Sequence, residues 1–285
     1  MAFVKATKKQ CKLRAGLMGV AGSGKTYSAL RLATGLGGKI ALIDTERKSA
    51  SKYADRFDFD VCELDFPSIE NMVKVIKEAE ALGYNVLIID SLTHAWQKLL
   101  EEVEKLTATR FDGNSFRAWG VATPIQRQFI DVILKSNMHI ITTMRAKTEY
   151  VMELNEKGKT APKRVGMAAE QGKDIEYEFD LLVMIDRNHS AEVIKDRSGK
   201  FQDEYIEQIT EETGKTLADW LEVGEVEEPA TPDPESILKG AMTMYNINLK
   251  DFCKHFDIKK SNIAEKIVML DAMVDEYMNM GGSDV

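Results

Sequence analysis

The chain has little of what would tie a small fold together with covalent bonds or metal. Its 285 residues include 3 Cys and 4 His. Cys11, Cys62 and Cys253 are far apart, odd in number and form no C-x-x-C pair. That excludes a disulfide framework and a zinc ribbon, and fits reduced thiols in a cytoplasmic protein, the host cytoplasm if the chain is phage-encoded. The scattered histidines form no metal constellation and read as satisfied surface or core residues. There is no apolar run long enough to span a bilayer and no stretch built like a signal peptide, so no membrane partner is expected. Acidic residues are missing altogether before Asp44, where eight basic ones stand.

What is present is ample apolar chain, 44% hydrophobic overall, enough for one large α/β domain and an appendage. Charge is divided along it. Residues 1–200 hold 31 Lys+Arg against 27 Asp+Glu, whereas residues 201–285 hold 7 against 19. The net charge of −8 therefore conceals a mildly basic first part and an acidic end, and does not argue against a nucleic-acid partner.

Residues 19–26 read Gly19-Val20-Ala21-Gly22-Ser23-Gly24-Lys25-Thr26, a complete G-x-x-x-x-G-K-[ST] phosphate loop. Its glycines let backbone N–H groups surround phosphate oxygens. Lys25 brings a point charge to the same oxygens and Thr26 offers a hydroxyl to Mg²⁺. A short buried strand over 13–18 precedes the loop and a helix over 25–35 follows, with its N-terminus toward the phosphates. The pattern predicts a nucleoside triphosphate site that uses ATP and Mg²⁺.

Beyond the loop, strands alternate with helices. Aliphatic runs predict buried strands at Lys39–Asp44, Val86–Asp90, Met138–Met144, Asp180–Ile185 and Ala191–Ile194. Apolar spacing predicts helices over Ser68–Leu82 and Pro124–Leu134. A mostly parallel central sheet flanked by helices follows. The apolar strand ending in Asp90 supplies a carboxylate suited to magnesium. Residues 1–221 are expected to form the ATPase domain. An acidic, Pro-rich linker is expected over 222–234, and a small helical module over 235–285, its methionines filling core gaps.

Asp44-Thr45-Glu46 follows the second strand and Asp90 is followed at once by Ser91. Here the chain resembles the RecA-like recombinase ATPases, over roughly residues 10–210. The resemblance implies a RecA-like P-loop fold, with Glu46 as the catalytic glutamate that orients water and Tyr53 as a ring that stacks on adenine. Lys195-Asp196-Arg197 is similar to the K-x-R signature of relatives in which the Lys and Arg reach a neighbour's γ-phosphate. That implies self-assembly into a ring or filament, with Lys195 and Arg197 catalytic in trans. One departure stands out: where recombinases carry a phosphate-sensing glutamine this chain has Thr143, which can hydrogen-bond a phosphate but reaches less far.

Arg117-Ala118-Trp119-Gly120 and Glu176-Tyr177-Glu178-Phe179-Asp180 resemble small phage-encoded single-domain RecA-like ATPases of recombination and single-strand annealing. Two segments occupy the places of DNA-facing loops in such proteins. One is Thr107–Thr123, with Arg110, Phe111, Arg117 and Trp119. The other is Lys147–Lys173, with Lys157, Lys159, Lys163 and Arg164, and it is long for a structureless connector. Cations among aromatics suit single-stranded DNA. A single-strand-binding protein is a further candidate partner.

The expected function is thus a DNA-stimulated ATPase acting on single-stranded DNA. The alternative is a regulatory or scaffold ATPase that controls protein assembly without touching DNA. A P-loop kinase fits less well, because Glu46 suits water attack and no lid-like arginine cluster is evident.

Overall fold

The computed structural model describes residues 5–154, 160–172, 175–225, 238, 242, 247–259, 261–267 and 269–279. The chain divides into two compact units, Met1–Glu225 and Val226–Val285.

The first unit is a mixed α/β fold around one sheet. Its strands are β1 Arg14–Gly19, β2 Ile40–Asp44, β3 Asp60–Glu63, β4 Val86–Asp90, β5 His139–Leu154, β6 Thr160–Ala169, β7 Leu181–Ile185, β8 Ala191–Asp196 and β9 Tyr205–Ile206. They lie in the order β3-β2-β4-β5-β1-β7-β8-β9, with β6 paired to β5. Every pairing from β3 across to β7 is parallel, and the β7–β8, β8–β9 and β5–β6 pairings are antiparallel. Central strands buried on both faces carry continuous aliphatic runs. Alternate residues then feed two cores: Leu42, Ile88, Ile141 and Val183 face one way, and Ile43, Ile89, Ile140 and Leu182 the other.

Helices cover both faces. On the first lie α1 Lys25–Leu36 and α5 Glu211–Glu222, packed through Leu30, Leu32, Leu217 and Leu221. They cross so closely that a Cβ on Gly35 would stand 2.0 Å from the Glu211 carbonyl oxygen, and the Arg31 guanidinium clasps both Glu211 oxygens at 2.7–3.0 Å. On the second face lie α2 Ile69–Ala81, α3 Leu92–Thr109 and α4 Ser115–Lys135. Ser68 caps α2 through the Asn71 N–H at 3.3 Å.

The fourth helix differs from its sequence reading. It starts nine residues before Pro124, at Ser115, capped by Asn114 accepting from the Arg117 N–H at 3.1 Å. Pro124 sits inside the helix and cannot donate to the Gly120 carbonyl. Gly120 is exposed, so that carbonyl is open to water. Packing decides the matter, since Ala118 and Ala122 bury against Leu99 and Val103 of α3. The segment 107–123 is accordingly two helix ends and a short turn, not a loop. Likewise 147–173 is no structureless connector: β5 runs on to Leu154 and returns as β6, paired from Ala146↔Ala169 to Leu154↔Thr160.

The second unit contains α6 Leu249–His255, α7 Ile263–Ile267 and α8 Leu270–Asn279. Leu238, Met242, Phe252, Leu270, Met273 and Val274 form its core, and Asn248 caps α6 through the Lys250 N–H at 2.9 Å.

The sheet is pinned from below by a buried cation. Arg14 donates to the carbonyls of Leu13, Met138, Leu134 and Ser136 at 2.5–3.0 Å, tying β1 to the turn between α4 and β5. Burial pulls its pKa down to about 10, still charged at neutral pH. Beside it, the His139 Nδ1 accepts from the Leu13 N–H at 3.0 Å, and burial lowers this imidazole to about 4, which keeps it a neutral acceptor. Replacing Arg14 by Met leaves these carbonyls without their donors and is expected to lower unfolding stability by ~3 kcal/mol or more. A denaturant midpoint equal to wild type at unchanged m-value contradicts this.

Candidate active site

The phosphate loop joins β1 to α1 at one end of the sheet. Gly22 and Gly24 take φ of +78° and +86°, a left-handed backbone open to glycine at no steric cost. Gly24 ends the loop as the N-cap of α1, so the helix N-terminus faces the cleft with donors to spare. The Lys25 ammonium bends back onto the loop, donating to the carbonyls of Gly19 and Val20 at 3.1 and 3.0 Å. Burial pulls it below its ordinary range, while the Glu46 and Asp90 charges raise it again. The Ser23 hydroxyl is buried with no hydrogen-bond partner among the described residues. A turn that spends its lysine on its own carbonyls is one that a bound anion would complete.

Asp90 ends β4 next to this loop and is 1% exposed. Its carboxylate accepts from Thr26 Oγ1 at 2.6 Å and from the Thr143 hydroxyl. Burial pushes the carboxyl above the usual carboxylate range, with Glu46 and Asp44 adding to the effect and the two hydroxyls opposing it. A buried carboxylate touching a threonine hydroxyl is a hard-oxygen pair suited to Mg²⁺. No cluster of three or more His, Cys, Asp or Glu side chains that could hold a metal occurs among the described residues. Magnesium bound through one carboxylate and phosphate oxygens does not need one. Thr143 is a correction to its sequence reading. It is fully buried and its hydroxyl serves Asp90, so it is not positioned as a phosphate contact.

Glu46 lies just past β2. Asp44, itself buried, accepts from the N–H groups of Glu46 at 2.6 Å and Ala50 at 2.9 Å. That folds residues 44–50 into a tight turn in which Arg47 and Lys48 adopt left-handed φ of 56° and 67°. The Glu46 Oε1 accepts from Arg145 Nη2 at 3.2 Å. Gly19–Gly22, Gly24–Thr26, Glu46, Ser49, Lys52, Tyr53 and Arg145 line one cleft of about 560 Å³, which has room for a nucleotide. The Tyr53 ring at its wall rests 5.8 Å from Tyr27, which is braced edge-on by Phe57 at 5.3 Å.

Two site residues were invisible in the sequence. His94 bonds Thr45 Oγ1 at 2.7 Å and Arg145 Nη2 at 2.8 Å. His189 packs on the outside of the phosphate loop, its Nδ1 3.1 Å from the Ser23 carbonyl. Both are hydrogen-bonded side chains, His189 at the surface and His94 half-buried, and each stands next to a site element. A helix-N-terminal His and a turn His carry no spacing signal, because Thr45, His94 and Arg145 come together only through the fold.

Other expected site residues lie elsewhere. Register pairs Leu182 with Lys195 and Ile185 with Ala191 on β7–β8, while Gly19 pairs with Ile185. Lys195 thus stands toward the end of the sheet away from its own phosphate loop. It donates to the Tyr177 carbonyl at 2.7 Å, and Arg197 holds Asp180 and the Tyr177 carbonyl, each at 3.1 Å. At the α3–α4 tip the Arg110 and Arg117 guanidiniums lie over the Phe111 ring at 5.4 and 5.2 Å. Trp119 is half-buried and packs on Trp96 at 5.8 Å within the helix interface. Phe116, unnoticed in the sequence, is 86% exposed at the same tip. Lys163 and Arg164 stand on β6 opposite Val151 and Tyr150; Lys157 and Lys159 lie outside the described residues.

Comparison with known proteins supports the family of this site. A family model described as an AAA domain matches residues 11–220. No curated protein matches the chain. Among solved structures, the "Crystal structure of the RadB recombinase" overlays with a TM-score of 0.36 at 18% identity, covering 70% of this chain and 88% of that one. No helix among the described residues is long and apolar enough to cross a membrane.

Proposed function

The chain belongs to the AAA-domain family, and on that premise we propose that it is an Mg²⁺-dependent ATPase that assembles with copies of itself and acts on single-stranded DNA, in phage-type recombination or annealing. The observation that carries the nucleotide half is that Lys25, Thr26 and Glu46 line one cleft, with the buried Asp90 bonded to Thr26 behind them.

Each residue has a physical task there. The loop N–H groups and Lys25 bind the phosphate chain, the lysine exchanging two weak carbonyl contacts for anionic oxygens. Thr26 and Asp90 would hold Mg²⁺, which neutralises charge on the phosphates. Thr143 acts from behind by keeping Asp90 in place. Glu46 is the only one of these carboxylates both in the cleft and partly open to water, its side chain 30% exposed, and it orients the attacking water. Tyr53 offers a ring face to adenine.

Lys195 and Arg197 serve a neighbouring subunit in this reading. Nothing brings them to their own phosphate loop, and each rests on backbone carbonyls or a half-exposed ion pair that it can leave at small cost. Arg110, Arg117 and the exposed Phe116 give the α3–α4 tip cations and a ring suited to a flexible single strand. The β5–β6 hairpin, with Lys163 and Arg164 on β6, is the second proposed contact, together with Lys157 and Lys159 of the same sequence segment. Residues 235–285 are proposed as a small helical module that follows an acidic, Pro-rich linker over 222–234.

Two outcomes test the enzyme. Glu46→Gln is expected to bind ATP as wild type does while phosphate release falls about 100-fold; turnover within twofold of wild type removes Glu46 from the mechanism. Arg197→Ala and Lys25→Ala, each inactive alone, are expected to regain activity when mixed, because intact composite sites form at mixed interfaces. If no mixing ratio restores phosphate release, the site acts in cis.

A further inference from the structure

Arg145 has no part in the reading so far, yet its backbone is among the most firmly held in the site. Its Cα stands in register with Gly19, the first residue of the phosphate loop. Its N–H donates to the fully buried Thr93 Oγ1 at 3.0 Å, and its carbonyl accepts from the Glu170 N–H at 2.7 Å. Three elements therefore fix the root of a side chain that is itself 45% exposed.

That side chain has two resting partners and spare donors. Nη2 touches Glu46 Oε1 at 3.2 Å and His94 Nε2 at 2.8 Å. Nε and Nη1 have no acceptor among the described residues, although guanidinium carries five donors. Because Nε2 of His94 accepts from Arg145, Nδ1 must carry the ring proton and donate it to Thr45 Oγ1 at 2.7 Å. Thr45 also accepts from the Ser91 N–H at 2.8 Å and can donate to the Asp90 carbonyl at 3.1 Å. From Arg145 Nη2 through His94 to Thr45, each donor in this relay has an acceptor. The result is a neutral seat for the guanidinium, and burial together with the Arg145 charge keeps His94 below its ordinary range.

The contact with Glu46 is too weak to serve as structure. A pair this exposed contributes at most about 1 kcal/mol to stability. It does occupy the very carboxylate that water attack requires. Arg145 and Glu46 are shared by the nucleotide cleft and by a neighbouring cavity of about 700 Å³, so the pair forms part of the wall between them. Both charges are felt at Lys25, which places the guanidinium within electrostatic range of the phosphate-binding cation. A terminal phosphate offers more negative charge than one carboxylate, and geometry for a bidentate guanidinium contact.

We propose that Arg145 exchanges partners with the nucleotide state, holding Glu46 when the terminal phosphate is absent and moving onto that phosphate when it is present, which frees the Glu46 carboxylate for water. This inference rests on the ATPase reading above. It makes Arg145 a catalytic residue in cis and makes His94 with Thr45 the positioning pair that sets where it rests. Diphosphate leaves the glutamate blocked, and triphosphate unblocks it.

The test uses the full chain with ADP, a non-hydrolysable ATP analogue and ATP. In Arg145→Ala the affinity for ADP is expected to stay within about twofold, the analogue to weaken about tenfold, and phosphate release to fall about 100-fold. Arg145→Lys is expected to recover part of the preference for the analogue, since it restores charge without the bidentate fork. An unchanged thermal midpoint in both variants separates this from misfolding. An Arg145→Ala that keeps the analogue-to-ADP ratio and the turnover of an active wild type overturns the inference alone. A wild type that binds neither nucleotide overturns the ATPase reading, and the inference with it.

Discussion

A carboxylate buried at the end of a strand is the constraint around which the first unit is organised. Asp90 is almost wholly inaccessible, and a buried charge without partners is intolerable. Its donors come from two different elements, Thr26 at the start of α1 and Thr143 on β5. The order of the sheet makes this possible, because β5 lies between β4 and β1. That order sets Asp90 one strand away from β1, which feeds the phosphate loop, with Thr143 on the strand between. Burial still leaves this carboxyl reluctant to ionise, and a divalent cation is the natural remedy. Structure and proposed chemistry thus meet in a single side chain.

From that point the site divides into a rigid layer and an adjustable one. Asp44, Asp90, Thr93 and Thr143 are buried and hydrogen-bonded, and they determine where backbone ends. Lys25, Glu46 and Arg145 are only partly buried, rooted in that layer, and their present contacts are with carbonyls or with each other. Such weak contacts are what an anion can displace. The antiparallel return of β8 carries Lys195 to the opposite end of the sheet, so a trans role for it and Arg197 requires a second subunit.

How much was legible from sequence follows from what holds each element. Phosphate loop and central strands were readable, because strands buried on both faces must be aliphatic runs such as Ile40–Asp44 and Val86–Asp90. Strand β3 was not, since all four of its residues are exposed and only pairing with β2 defines it. The β5–β6 hairpin escaped for the same reason, being held by its ladder. Pro124 misled the reading of α4 because proline favours a first turn, whereas the Trp96–Trp119 contact and small alanines hold the helix through it. The cap of α5, where Thr210 and Thr213 bond reciprocally, and the spacing of Leu217 and Leu221 offered a signal that went unused. His94 and Arg145 offered none, since their importance is a matter of distance in space.

The link between this geometry and a biological task is the partner at the α3–α4 tip and the hairpin, and one assay tests it. Phosphate release should be measured with and without a single-stranded oligonucleotide, at low and at moderate salt. The account predicts that the oligonucleotide speeds release and that the effect fades as salt rises, as it must when cations track a phosphate backbone. Turnover that ignores the oligonucleotide at both salt concentrations would contradict it, and would leave a regulatory ATPase whose nucleotide cycle governs protein assembly alone.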